Sequence, residues 1–336
     1  MKKLALVVVI VFLQFLSYSN YISARKPGRG MTEAIQKAIL IGWDGAQREH
    51  VKECLDKGEL PNLKRLVDEG SFIGIYISGV TETKPGWAEI LTGYKADITG
   101  VYSNSNYGPI PQGYTIFERL EDYFGADKFV TVAVIAKNEN MSAGPPVEKL
   151  NSNEGTGFKS SITQAKPFYH AQNSIDLFSS GLMADKRVGD RAIDLLGKYK
   201  NRAFFFFVHF GSPDYKGHMY GENSREYNDA LISCDIRLGK IMEELQRLNI
   251  YDKTFIYVTA DHGFDEGKNT HRRADTVFLA TNDPVLNEGI GSRADIAPTI
   301  LYRFGVPLEK IRPPLSGEPL IKTGSDTISF VDIDIY

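Results

Sequence analysis

Acids and imidazoles recur in this chain at spacings that suit metal ions. Asp261 and His262 stand side by side, followed by Gly263 and, beyond a polar loop, by His271. Asp214 and His218 are separated by a short segment containing Gly217, and Asp44 is followed by Gly45. Three carboxylates and three imidazoles without a thiolate make a ligand set for zinc or a similar divalent ion in an open site. Two ions need about that many ligands, and paired ions about 3.5–4 Å apart clamp the attacking and leaving oxygens of a phosphoryl transfer. Thr83, in Thr83-Lys84-Pro85-Gly86-Trp87, offers a hydroxyl to attack. Proline is favoured where a helix begins, so Thr83 lies at a helix mouth, where free N–H groups and the positive dipole end suit an alkoxide. Read singly, a threonine such as Thr83 more commonly caps a helix, and Asp261-His262 is equally a capping acid beside a loop histidine.

The elements that carry these residues separate the two readings. Ile256 to Ala260 is an apolar, β-branched run that stops at Asp261; Ala38 to Trp43 stops at Asp44; Ala203 to Val208 stops just before Asp214. Such runs read as buried parallel strands, and open α/β sheets build their sites past the carboxyl ends of strands. Three strands ending in acids would converge on one rim. Further strands are expected at Ser71–Ser78, Phe129–Ile135 and Thr276–Ala280. Helices are expected at Glu49–Lys57, Pro61–Asp68, Ile116–Tyr123, Asn173–Tyr199, Glu226–Leu248 and Asp295–Pro307, with one running from the Thr83 segment to about Thr92. Gly217 reads as a tight turn between Asp214 and His218. The stretch 137–172 begins polar and aperiodic and reads as an insertion on the active-site side, either a substrate lid or a plain surface loop.

Composition narrows the classes. The 336 residues carry 39 Lys and Arg against 42 Asp and Glu, a net charge of −3, so no basic field draws nucleic acid or an anionic membrane surface. Lys2-Lys3 and the apolar run Leu4–Leu16 have the form of a secretory signal over 1–24, or of an uncleaved N-terminal anchor. A leader over 25–36 and one catalytic α/β domain over 37–336 would follow, in a protein exported to the periplasm or secreted. Cys54 and Cys234 are the only cysteines, so no thiol cluster can bind metal, and they are either two buried thiols or one disulfide.

From Ala38 to Leu320 the chain resembles the alkaline phosphatase superfamily, and within it the nucleotide pyrophosphatase/phosphodiesterase branch. The resemblance rests on the acid after the first strand, the threonine before Pro85, Pro213-Asp214 with Gly217-His218, Asp261-His262, His271, and Gly317 to Leu320. It implies a three-layer α/β sandwich with a mostly parallel central sheet flanked by helices. It also implies two divalent ions, zinc being the family's metal: one on Asp44, Thr83, Asp261 and His262, the other on Asp214, His218 and His271. Thr83 would attack in line to give a phosphothreonine. Asn104 matches the asparagine that, in diesterases, donates a hydrogen bond to a non-bridging phosphate oxygen.

The chain also departs from that branch. Lys84 replaces the aromatic that stacks on a nucleotide base, and the interval from His262 to His271 is short. Sulfatases of the superfamily use a modified Cys or Ser before Pro-x-Arg, and the Thr83 segment lacks both features. Lys84, Trp87 and His209 are further candidate contacts for a small phosphate ester substrate. The expected activity is a two-metal phosphodiesterase. The rivals are a phosphomonoesterase or phosphonate hydrolase using Lys84 as an extra charge, and a non-catalytic secreted binding protein on the same fold.

Overall fold

The computed structural model describes residues 36–137, 141–153, 157–286 and 289–322, all within one compact unit. The signal segment and nearly all of the leader lie outside the described residues. The apolar runs become an eight-stranded sheet in the order β10-β2-β9-β8-β1-β7-β3-β6. Its centre is β1 (Lys37–Trp43), between β7 (Ala203–Phe210) and β8 (Thr254–Thr259), with β3 (Phe129–Ile135) beyond β7; all four run parallel. Their carboxyl ends therefore share one edge, which is what the site requires. Phe204 to Phe207 are fully buried, each side chain stabilising the sheet by roughly 1.5–3 kcal/mol. One inner strand, β9 (Thr276–Thr281), runs antiparallel to both neighbours, β8 and β2 (Ser71–Tyr76). The edges are β10 (Ile290–Ser292) and β6 (Leu177–Ser179).

The helices are α1 (Arg48–Asp56), α2 (Pro61–Glu69), α3 (Thr83–Thr92), α4 (Ala96–Thr99), α5 (Ile116–Phe124), α6 (Asp185–Tyr199), α7 (Ser212–Tyr220), α8 (Arg225–Arg247) and α9 (Ile296–Arg303). One set packs on α8, namely α2, α6 and α7; α3 and α5 pack on α9. Helices thus flank a mostly parallel sheet, the α/β class expected. Among the described residues no helix is long and apolar enough to cross a membrane. Cys54 and Cys234 are buried free thiols.

Three local expectations are corrected. The helix expected from Asn173 begins only at Asp185, because Leu177–Ser179 adds the edge strand β6 to β3 and the chain turns at Gly181 and Met183, both at positive φ. Asp176 anchors that strand by accepting from the Thr131 N–H at 2.8 Å. Within the polar insertion, Glu148–Asn153 (β4) and Gly157–Ile162 (β5) form a separate antiparallel pair. Its residues do not alternate apolar with polar, so no period of two betrays it. Finally, Asp214 and His218 lie on α7 rather than on a turn, one helical turn apart. A Cβ on Gly217 would come within 2.4 Å of the Phe264 ring, so this glycine serves close packing.

Candidate active site

The rim is fixed first by backbone. Asp44 leaves β1 with its N–H donating to Phe210 O (3.0 Å) while its own carbonyl accepts from the Asp214 N–H (2.8 Å), which locks β1 to the start of α7. Gly45 follows at φ +73°, and a Cβ there would lie 2.8 Å from the Asp214 Cα, so only glycine fits without strain. Its N–H donates to Asp261 Oδ1 at 3.3 Å, and its carbonyl accepts from the buried Tyr227 hydroxyl at 2.7 Å.

Two groups of candidate ligands result. Asp44, Asp261 and His262, all fully buried, offer ligand atoms within 4.8 Å of one another, and so do Asp214, His218 and His271. The groups adjoin, since His262 Nε2 lies 3.7 Å from Asp44 Oδ1 and 3.9 Å from Asp214 Oδ1. His262 Nδ1 is 3.0 Å from Gly263 O and His218 Nδ1 is 3.0 Å from Asn269 O. Donation at Nδ1 would free each Nε2 to bind a metal, the tautomer such a ligand needs, whereas without metal the hydrogen bond to Asp214 raises the His218 pKa. The His271 ring stacks on His262 with centroids 4.2 Å apart. Burial, with the charges of His262 and His218, lowers its pKa to about 4, so it stays neutral. Asp261 Oδ2 is buried without a hydrogen-bond donor. Burial, reinforced by Asp44 and Asp214, pushes the Asp261 pKa well above the carboxylate range. A bound cation would relieve that crowding, so donor types, tautomers and the orphaned oxygen all fit divalent metal.

The short connection between His262 and His271 is pinned along its length. The Asp265 N–H donates to Thr270 O at 2.8 Å, closing a turn, and the Gly267 N–H donates to Glu222 Oε2 at 2.9 Å. Glu222 in turn holds His50 Nδ1 at 2.6 Å.

Thr83 is the first residue of α3, and its Oγ1 lies 3.3 Å from His262 Nε2. The helix can approach because of Gly86, where a Cβ would sit 2.8 Å from the Asp261 Cβ. Arg293 clamps the pieces. It donates to Glu89 of α3 at 2.8 Å and to the Asp261 carbonyl at 2.9 Å, and it is itself buried. Asn104 Oδ1 accepts from the Lys84 N–H at 2.9 Å, which fixes the amide and leaves its Nδ2 as the donor end. Lys84 Nζ donates to Asn104 O at 2.9 Å.

Two expected substrate contacts do not survive. Trp87 and His209 are both fully buried, with ring centroids 5.1 Å apart, and neither has surface to offer a ligand. Trp87 fills the space over Gly42, and His209 Nε2 lies 3.5 Å from Asp44 Oδ2, so both support the floor of the site. One residue was missed. Lys137, two residues past β3, places Nζ 3.3 Å from Asp44 Oδ2 and in a short ion pair with Asp214 Oδ2, bridging the two groups. Burial would raise the Asp44 pKa, but Lys137 and His209 outweigh it and hold Asp44 well below the carboxylate range. The signal was available: like Asp44 and Asp261, Lys137 follows a buried parallel strand.

A mostly parallel sheet whose rim sets a hydroxyl beside two carboxylate–imidazole groups is the arrangement of the alkaline-phosphatase-like hydrolases. Within that class, the family model for type I phosphodiesterase/nucleotide pyrophosphatase matches residues 38–314, and the chain belongs to this family. The mouse bis(5'-adenosyl)-triphosphatase enpp4 is 23% identical over 267 residues, 77% of this chain and 54% of its own length. The chain thus spans about half the length of the curated relatives it matches. A murine ectonucleotide pyrophosphatase/phosphodiesterase 5 structure, an inactive variant with AMP, superposes with a TM-score of 0.55 at 12% identity, covering 80% of this chain and 95% of that one. BT4656, solved with its substrate D-glucosamine-2-N,6-O-disulfate, superposes with a TM-score of 0.57 at 16% identity, covering 86% and 80%. At these identities the superpositions establish the fold alone.

Proposed function

We propose that this chain hydrolyses small phosphate esters, with Thr83 as nucleophile and a phosphothreonine formed and then released by water. The observation that carries this reading is the Thr83 hydroxyl 3.3 Å from His262 Nε2, at a helix N-terminus beside both ligand groups. Asp44, Asp261 and His262 would hold one divalent ion with Thr83, and Asp214, His218 and His271 the other; zinc suits this donor set. Such ions, when bound, lower the pKa of nearby hydroxyls and stabilise charge on the phosphoryl oxygens. The protein's part is positional. The Arg293 clamp aims α3 at the rim, Asn104 Nδ2 donates to a non-bridging oxygen, and the helix N-terminus favours the alkoxide.

Family membership and the neutral Asn104 favour a diester substrate. Lys137 favours a second reading. Two divalent ions against three carboxylates leave a formal charge of about +1, and Lys137 raises it to about +2, which suits a dianionic monoester or phosphonate. Lys84, whose Nζ donates to the Asn104 carbonyl, is the other candidate for that added charge. We also read the N-terminal segment as an export signal, which places the enzyme in the periplasm or outside the cell. The test is metal analysis together with rates on bis- and mono-p-nitrophenyl phosphate. Turnover of the diester with bound metal supports the first reading, and preference for the monoester the second. A metal-loaded protein that cleaves no phosphate, phosphonate or sulfate ester refutes both and leaves a binding protein.

A further inference from the structure

Beside the Asn104 loop lies a cavity of about 560 Å³, the volume of a small organic ligand. Its wall is ordered backbone. The Lys166 N–H donates to Gly144 O and the Phe168 N–H to Ser142 O, each at 2.9 Å. Met141 and Phe178 make part of the lining apolar, whereas Lys84 and Lys166 make it cationic. Both ammonium groups lie 5.2 Å from the centroid of the Tyr107 ring, and Lys166 Nζ also donates to the Tyr107 hydroxyl at 2.6 Å. Neither lysine pairs with a carboxylate of the described residues, and no described acidic residue lines the cavity. Ser142 Oγ, in the same wall, is buried with no hydrogen-bond partner.

Two half-buried cations share one aromatic neighbour, and burial makes each ammonium costly unless it is paired. The Tyr107 ring and hydroxyl offset part of that cost, and no carboxylate among the described residues pairs with either ammonium. Lys84 is also the residue next to the candidate nucleophile, so it links the cavity lining to the Thr83 segment. We propose that this cavity receives a second anionic group, a carboxylate or a phosphate, carried on the organic substituent of the substrate, with Lys84 and Lys166 as its counter-charges and Ser142 as a donor. The proposal rests on the phosphoester reading above and narrows it. The preferred substrate is a compact ester with two separated negative charges, not one with a neutral aromatic group stacked beside the threonine.

The test uses three diesters of p-nitrophenol whose second phenol carries a para-carboxylate, a para-phosphonate or no charge. For the metal-loaded enzyme, kcat/KM should be about tenfold higher for at least one anionic ester than for the neutral one, and the gap should shrink with added salt. Calorimetry on the metal-loaded Thr83→Ala variant should show the same order of affinity without turnover. Lys84→Met with Lys166→Met should erase the ratio, and Lys166→Arg should keep it. An equal response to all three esters, or a ratio that survives the double Lys→Met change in a variant with wild-type melting temperature and metal content, overturns the proposal. If no ester is cleaved, the hydrolase reading has failed, while ester affinities on Thr83→Ala still judge the cavity.

Discussion

The two ligand groups are made from the same residue types but held in different ways. Asp44, Asp261 and His262 sit on strand ends, fully buried and tied to Gly45, Arg293 and Gly263. Asp214 and His218 sit on one turn of α7 and His271 on a loop, and the His218 side chain is 47% exposed. The inner group is therefore preorganised by the sheet, and the outer one by a helix and a hairpin turn facing solvent. An ion in the inner group should be structural in permanence although it serves the nucleophile, whereas the outer ion should exchange. Under the proposed roles, burial goes with the ligands of the ion beside Thr83, and exposure, at His218, with the other group.

Each side of this contrast can be broken separately. Thr83→Ala should reduce turnover by at least about a thousandfold while both metal equivalents remain, as read by single-turnover kinetics and metal analysis. Full activity in that variant would remove the hydroxyl from the mechanism. Asp261→Asn should empty the inner group. His218→Ala should instead weaken only the outer ion, by about a hundredfold or more, leaving one equivalent bound through dialysis against a mild chelator. Equal losses from both variants would show the groups to be one cooperative site. Lys137→Met removes the ammonium between Asp44 and Asp214, so the metal-free protein should lose about 1–3 kcal/mol of stability while metal loading restores it. A metal-free melting temperature equal to wild type would mean that the bridge contributes nothing.

The smallest effect concerns the support of the His271 loop. Burial acts to lower the His50 pKa, but contacts with Cys54 and Glu222 prevail and raise it to about 10. Because the folded value lies above the unfolded one, the stability this imidazolium contributes is fully present below about pH 6.5 and is lost as pH rises through 10. Between those limits wild type should lose stability that His50→Gln does not lose, measured by denaturant melts of the metal-free protein. Parallel pH profiles would show the pair to be without effect.

Much of this could be read from the chain because parallel strands announce themselves. The runs ending at Asp44 and Asp261, and the phenylalanines before His209, are apolar from end to end, and the ligands stand where those runs stop. Lys137 stands in the same place, but an ammonium is not a metal ligand, so the ligand pattern in the sequence does not point to it. The α7 helix was missed because Ser212-Pro213 and Gly217 look like turn residues until the close approach of Phe264 is known. The β4–β5 segments carry no alternation of apolar and polar residues in sequence to reveal them. Trp87 illustrates the opposite error: an aromatic near the nucleophile invites a stacking role, and only its packing over Gly42 assigns it to the core.

The antiparallel course of β9 has a further consequence. Had β9 run parallel to β8, a crossover of a dozen or more residues would have carried the chain to the far end of the sheet before it could return. Instead the polypeptide reverses at the rim, and His262 and His271 are delivered by the two sides of a single turn. Contacts across such a turn are local in sequence, so part of both metal groups can assemble early in folding, before the distant strands close. The same turn can be lengthened without shifting the register of either strand. It is the place where the entrance to this site can diverge between descendants of one scaffold while the sheet stays unchanged.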